Sequence, residues 1–160
     1  LNIPVADREA KNAAMRDMYQ TVERATKAYN RLKEAEKTIG LVESQFVNVP
    51  DSLKKDVIKL GASIKDSIGV LKEKFFQHKE QKGIQRNPNA LNAYLARPFD
   101  YIEGNQGAPN AATQTSISIA KRETDKVVEL VNELFDTSWK DYRSKVETVK
   151  FSLFKDFDKL

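Results

Sequence analysis

Residues 15–39, MRDMYQTVERATKAYNRLKEAEKTI, decide the fold. Positions along this stretch recur at alternating steps of three and four residues, which is the 3.5-residue period of a helix packed along a seam. The period predicts one long first helix over 6–46, in a bundle or a coiled coil. The seam positions are Met15, Met18, Val22, Ala25, Tyr29, Leu32, Glu36 and Ile39.

Glu36 is the one acidic residue on this seam, and two interpretations of it stay open. A buried carboxylate with a partner would fix the register of the helices. A carboxylate that reaches solvent would indicate instead that the apolar seam is incomplete at this position.

A second helical pattern follows the stretch VNVPDS. Pro50 and Asp51 are typical residues of a helix start, and Gly83 is a typical stop. These signals predict a helix over 51–82. Its apolar positions are Leu53, Val57, Leu60, Ile64, Ile68, Leu71 and Phe75.

The third predicted helix is short, over 88–103. Asn87 and Pro88 have the form of a cap followed by a first-turn proline, and Gly104 is the expected C-cap. Pro98 lies inside the pattern and predicts a kink or a break near residues 96 and 97. Asn110 is the expected N-cap of the next helix.

The last helix is predicted over 110–149, followed by a tail over 150–160. It carries two apolar seams that are displaced by one residue, and such a stutter locally unwinds a supercoil. The first seam is Ile117, Ala120, Thr124, Val127, Val131 and Leu134, and the second is Phe135, Trp139, Tyr142, Val146 and Val149.

These patterns predict a single all-α domain, an up-down-up-down four-helix bundle with one short, Pro-kinked third helix. The short third helix cannot cover its long neighbours, so the fourth helix is expected to reach the N-terminal part of the first. That end would carry both chain termini and an aromatic cluster. The candidate interface residues in this cluster are Trp139, Tyr142, Phe135, Phe151 and Phe154.

Composition excludes several classes of protein. The chain of 160 residues has no cysteine, which excludes disulfides and thiolate chemistry, and it has no apolar run of the ~20 residues that cross a bilayer. Its 27 basic and 23 acidic residues give a net charge of +4, but the two signs alternate along the chain. Alternating signs are typical of solvated helix surfaces, so no nucleic-acid partner is predicted.

No reaction is predicted from the residues themselves. His78 is the only histidine, so no second imidazole is present for a pair of Glu-x-x-His metal ligands. A Ser-His-Asp triad would have to use His78, and no Gly-x-Ser-x-Gly elbow is present to hold its serine. His78 is therefore interpreted as a surface or helix-end residue. No phosphate-binding loop or dinucleotide motif occurs. We therefore predict no catalytic, metal-binding or cofactor-binding residue, and interpret the chain as a packing and association module.

Three stretches resemble a known family: LNIPVADREAK (1–11), NPNALNAYLARPFDYIEGNQGAPNAATQ (87–114) and SWKDYRSKVETVKFSLFKDF (138–157). They are similar to the C-terminal helical region of bacterial, especially Bacteroidetes-type, sortilin-like (Vps10-type) proteins with BNR or Asp-box repeats. These proteins are often labelled glycosyl hydrolases or sialidase-like. The resemblance includes Asp7, the pair Leu91–Asn92, and the turn with Gly107 and Pro109.

The resemblance implies a C-terminal fragment of a larger, exported protein, periplasmic or at the cell surface, with a β-propeller before it. Residues 1–5 would then be the last piece of strand from the propeller. The implied function is a non-catalytic accessory bundle that docks on its own propeller or on another envelope protein. Two alternatives stay open: a part or lid of a carbohydrate- or peptide-processing site whose catalytic residues lie in the propeller, and a self-associating bundle.

Overall fold

The computed structural model describes residues 3–76, 89–152 and 157–159, and these residues form a helical bundle. The helices are α1 (Val5–Gln45), α2 (Asp51–Phe75), α3 (Leu91–Gly104), α4 (Ala111–Asp136) and α5 (Ser138–Thr148), with a short 3-10 turn at Phe46–Asn48. No strand occurs in the described part of the chain, so the predicted all-α bundle is confirmed. The strand expected over 1–5 does not extend to Val5, which begins α1.

α2 packs antiparallel to the C-terminal half of α1. The ammonium group of Lys65 lies 2.6 Å from the carboxylate of Glu43. Further along α2, Lys72 pairs with Glu36, which lies earlier in α1. Residue numbers therefore rise along α2 as they fall along α1.

α3 packs antiparallel to the N-terminal half of the same helix. The Lys11 ammonium donates a hydrogen bond of 2.8 Å to the carbonyl oxygen of Asn105, just after the end of α3. Earlier in α3, the ring of Phe99 lies 5.3 Å from that of Tyr19. α2 and α3 thus run in the same direction, one after the other along α1.

α4 runs parallel to α1. Lys121 pairs with Asp17 at 2.8 Å, and Asp125 pairs with Arg24 at 2.8 Å. Residue numbers thus rise together along α1 and α4. The helices α1, α2, α3 and α4 therefore run up, down, down and up. The predicted up-down-up-down order is therefore wrong for the third and fourth helices.

Helix length gives the physical reason for this order. α1 has 41 residues, whereas α2 and α3 have 25 and 14. At ~1.5 Å per residue, α1 is about 62 Å long and the other two together are about 59 Å. A third rod is formed by α4 and α5, with 26 and 11 residues. Placing α2 and α3 end to end lets three rods of nearly equal length bury one another along their whole extent.

The core of α1 keeps the predicted period with a different set of positions. Its buried residues again alternate steps of three and four: Met18, Thr21, Ala25, Ala28, Leu32, Ala35 and Ile39. The centre of the seam thus uses Thr21, Ala28 and Ala35, each one residue before a predicted position. Small side chains suit the centre because α1 packs against two other rods, and helix separation depends on the side chains between the axes. All six positions of the first α4 seam are buried as predicted.

α2 ends at Phe75, earlier than the predicted limit at 82. Phe76 has an extended backbone, with φ −132° and ψ 152°. This backbone places both phenylalanine rings against Tyr29, with ring centroids 5.3 Å away for Phe75 and 5.0 Å away for Phe76. The predicted stop at Gly83 lies outside the described residues.

Pro98 does not break α3, which continues through it to Gly104. An interior proline costs a helix about 3 kcal/mol. The side chains of Leu91 and Ile102 are buried on either side of it, and each contributes roughly 1.5–3 kcal/mol. This burial offsets the lost backbone hydrogen bond. α3 begins at Leu91 with Ala90 as its N-cap, so it starts later than the predicted residue 88. Asn87 and Pro88, the predicted cap and first-turn proline, lie outside the described part of the chain.

The turn between α3 and α4 is held by side-chain hydrogen bonds. Asn110 caps α4 as predicted, because its Oδ1 accepts the Thr113 N–H at 2.9 Å. Asn105, not Gly104, is the C-cap of α3, and its amide donates to the Thr113 hydroxyl at 2.9 Å. A Cβ added to Gly107 would lie 3.1 Å from Asp7 Oδ2, so this turn packs closely on the first turn of α1.

Candidate interaction surface

The candidate interface residues lie at the opposite end of the bundle from the one expected. Because α4 and α5 run parallel to α1, they carry the aromatic residues toward the C-terminal end of α1. The ring of Phe151 lies 5.3 Å from that of Phe46, just after α1. The expectation that these aromatics meet the N-terminal part of α1 is wrong. Phe154 lies outside the described residues.

A break at Thr137 separates α4 from α5, so the predicted single helix over 110–149 is wrong. Thr137 has φ −114° and ψ −91°. Its hydroxyl and its backbone N–H both donate to the carbonyl oxygen of Glu133, at 2.7 and 3.0 Å. The break falls where the sequence changes from one apolar seam to the next. It lets α5 present the second seam toward the bundle.

Tyr142 belongs to the core and is only 2% exposed. It packs over Gly61 of α2, where an added Cβ would lie 3.2 Å from Tyr142 Cε2 and 3.1 Å from Ile39 Cγ2. Burial raises the pKa of the Tyr142 hydroxyl to about 12, and the nearby negative charge of Glu43 adds to the rise. The prediction that Tyr142 lies on the docking surface is therefore wrong.

Trp139 and Phe135 are half-buried beside this core. The Phe135 and Trp139 rings meet edge to face at 5.7 Å, and Trp139 lies 5.7 Å from Tyr142. Aromatic pairs at this spacing add to the energy of burial. The two half-buried rings therefore form the margin of the core and keep part of their surface in solvent.

Three apolar side chains are exposed at the same end of the bundle, where α1 turns into α2. They are Val47 (67% exposed), Leu53 (55%) and Phe151 (42%), and we name this set the turn surface. The Lys54 ammonium bonds the carbonyl oxygens of Phe46 and Val47 at 3.2 and 3.1 Å and so closes the turn.

Sequence reasoning found only Phe151 of this surface. Leu53 has the helical spacing of a core residue, but it lies in the first turn of α2, beyond the cover of the other rods. Val47 belongs to the turn, where no period applies. Its neighbours Phe46 and Val49 are also apolar but are buried, so nothing in the sequence distinguishes Val47 as the exposed one.

Other chemistry is not assembled in the described ranges. Residues 3–76, 89–152 and 157–159 contain no group of three or more His, Cys, Asp or Glu that could hold a metal ion. Within them, every buried side-chain nitrogen or oxygen has a hydrogen-bond partner. Glu36 combines both interpretations, because it is half-exposed and also pairs with Lys72. His78 lies outside the described residues.

No helix in the described part of the chain is long and apolar enough to cross a membrane. Comparisons with protein-family models, with curated proteins and with solved structures find no match to this chain. The class that the fold and the surface define is thus an all-α bundle with an exposed apolar end. The resemblance to sortilin-like proteins rests on its sequence stretches alone.

Proposed function

We propose that this chain is a non-catalytic interaction module that binds a protein partner through the turn surface. The observation that carries the proposal is the exposure of Val47, Leu53 and Phe151 at one end of the bundle. Following the resemblance, the partner is the β-propeller of the same exported polypeptide, or another envelope protein. The module then works in the periplasm or at the cell surface.

The chemistry of the turn surface favours a tethered partner. Burying an exposed Val, Leu or Phe side chain completely gains roughly 1.5–3 kcal/mol. For a free partner, the gain from burying three such side chains is opposed by an entropic cost of association of at least about 4 kcal/mol. A partner on the same polypeptide meets this surface at an effective concentration in the millimolar range. A small apolar surface is therefore sufficient for docking within one chain.

Phe151 suits the role of an anchor because its ring is already held against Phe46. A side chain ordered before binding loses little conformational entropy on binding. Aromatic side chains near the centre of an interface also carry a large share of the binding energy.

The test measures docking within the full-length protein, where propeller and bundle stay on one polypeptide, by the hydrogen-exchange protection of the turn surface relative to the isolated bundle. We expect Val47→Asp to weaken this docking about tenfold or more. Val70→Asp is the matched control, since Val70 is 59% exposed but lies on α2 away from the turn surface. Circular dichroism checks that both variants keep the wild-type helix content.

Equal protection in the wild type, in Val47→Asp and in Phe151→Ala would contradict docking through the turn surface. The alternative function, a lid on a processing site, has a different signature. In that case the turnover of the parent protein falls when residues 1–160 are deleted, although the propeller stays folded.

A further inference from the structure

A pocket lies where the rod formed by α2 and α3 is interrupted. α2 ends at Phe75 and α3 begins at Leu91, while α1 passes both of them without a break. The pocket has a volume of about 330 Å³. It lies between helices and is near the lower limit of small-molecule sites, which have volumes of roughly 300–1,000 Å³.

The wall of this pocket carries no charge, although 31% of the chain's residues are charged. Polar groups enter it only from Thr26, Asn92 and the Tyr29 side chain. The other lining residues are Val22, Ala25, Phe75, Phe76, Leu91, Leu95, Ala96 and Phe99. Such a wall favours an apolar occupant, because no cationic or anionic group is present to be desolvated.

The aromatic part of the wall is ordered by its own contacts. Tyr29 meets Phe75 and Phe76 edge to face, and Phe99 packs on Tyr19. A ligand therefore meets preformed rings and does not have to order them itself.

Tyr29 also lines a second, cationic cleft between α1 and α2. This cleft contains Lys33, Lys37 and Lys72 with Asn30, Glu34 and Glu36. Lys72 is engaged by Glu36. Lys33 and Lys37 form no ion pair with another described residue. The apolar pocket thus lies on one side of Tyr29, and the ammonium groups of Lys33 and Lys37 lie on the other.

We propose that this pocket binds a single-chain amphipathic anion. The apolar chain fills the space between α1, Phe76 and α3, and the anionic head passes Tyr29 to reach Lys33 and Lys37. This inference is independent of docking through the turn surface, which lies toward the other end of α2.

The first test is calorimetric titration with decanoate below its micelle concentration, together with amide NMR shifts. We expect one site per chain, with shifts at residues lining the pocket. Ala96→Trp should weaken binding about tenfold or more by filling the mouth from an exposed position. Ala112→Trp, the same change at an exposed position away from the pocket, should leave the affinity unchanged. No binding, or equal binding by both variants, would overturn the proposal.

The second test distinguishes the contribution of the ligand's anionic head group to the affinity from that of its alkyl chain. The double variant Lys33→Glu, Lys37→Glu should weaken decanoate about tenfold while leaving decanol unchanged. Decylamine, which has the same chain and the opposite charge, should bind the wild type more weakly than decanoate does. Equal affinity for decanoate and decylamine would exclude the proposed anionic head.

Discussion

At the scale of single residues, Gly61 sets how closely α5 approaches α2. Its missing side chain leaves room for the ring of Tyr142, and a Cβ there would lie within 3.1–3.2 Å of both Ile39 and Tyr142. Both neighbours are buried and have little freedom to move. Gly69 lies eight residues further along α2, at a position where an added Cβ meets nothing within 4 Å.

The two glycines provide a matched pair of substitutions. Gly69→Ala should raise the free energy of unfolding by about 0.5–1 kcal/mol, because alanine favours the helix. Gly61→Ala gains the same preference but overpacks the core, which typically costs about 1–3 kcal/mol. We therefore expect net destabilisation for Gly61→Ala. Urea unfolding of both variants measures this, and stabilisation by both would contradict the packing described for Tyr142.

The buried hydroxyl of Tyr142 predicts a pH dependence of stability. Its pKa is raised from 10.0 to about 12 in the folded protein. The contribution of the protonated Tyr142 hydroxyl to the free energy of unfolding is complete below pH 10. It is lost as the pH rises toward 12, because the tyrosine of the unfolded state releases its proton first. A pKa difference of two units between the two states corresponds to a loss of roughly 2–3 kcal/mol.

Tyr142→Phe removes this titration. The difference in unfolding free energy between the variant and the wild type should therefore shift in favour of the variant between pH 10 and pH 12. Urea unfolding at several pH values measures the difference, and groups that titrate in both proteins cancel. A difference that stays constant over this range would show that Tyr142 titrates normally.

At the scale of helices, ends and breaks depend on single hydrogen bonds. Asn110 caps α4 through the Thr113 N–H and also bonds the Thr113 hydroxyl at 3.1 Å. At the break, the Thr137 hydroxyl and the Thr137 backbone N–H both donate to the Glu133 carbonyl oxygen. The Asn110 side chain thus replaces a backbone partner that a continuous helix would supply, whereas the Thr137 hydroxyl adds a second donor to a backbone bond that is still made.

Asn110→Ala should lower the free energy of unfolding by about 1 kcal/mol, because it removes the cap of α4. Asn30→Ala is the control, since Asn30 is exposed within α1 and alanine there favours the helix. Thermal and urea unfolding of the two variants gives the comparison. An equal effect of both substitutions would exclude a capping role for Asn110.

At the scale of the whole molecule, the direction of α3 determines the positions of α4 and α5. With α3 continuing in the direction of α2, α4 returns alongside α1 and α5 reaches the turn between α1 and α2. Ion pairs such as Asp17–Lys121 follow this register, but their side chains are substantially exposed. Exposed pairs contribute only about 0–1 kcal/mol each, so burial along the three rods holds this arrangement.

Spin labels test the topology directly. Labels at Arg8 and Lys145 should be about 50 Å apart, because they lie near opposite ends of the long rods. An up-down-up-down bundle would bring the same two positions close together. Labels at Arg8 and Gln114 are the control, and they should be near each other because α1 and α4 are parallel and in register. A short Arg8–Lys145 distance would contradict the described order.

The candidate site was only partly accessible to sequence reasoning. Phe151 was found because it belongs to an aromatic-rich end that helices of unequal length were not expected to cover. Tyr142 was misassigned because helical spacing shows that a residue faces a neighbour but not how deeply it is covered. Val47 and Leu53 were missed because their exposure depends on where the neighbouring rods end.

The sequence by itself determined the all-α class, the 3.5-residue period of α1, the first seam of α4 and the cap at Asn110. These features depend on contacts within one turn or on the alternation of side chains along one helix. The direction of α3, the break at Thr137, the closed core around Tyr142 and the exposed turn surface were decided only in the tertiary structure. Their physical reason is common to all four: each depends on matching the lengths and surfaces of helices far apart in the chain, and no local pattern encodes that match.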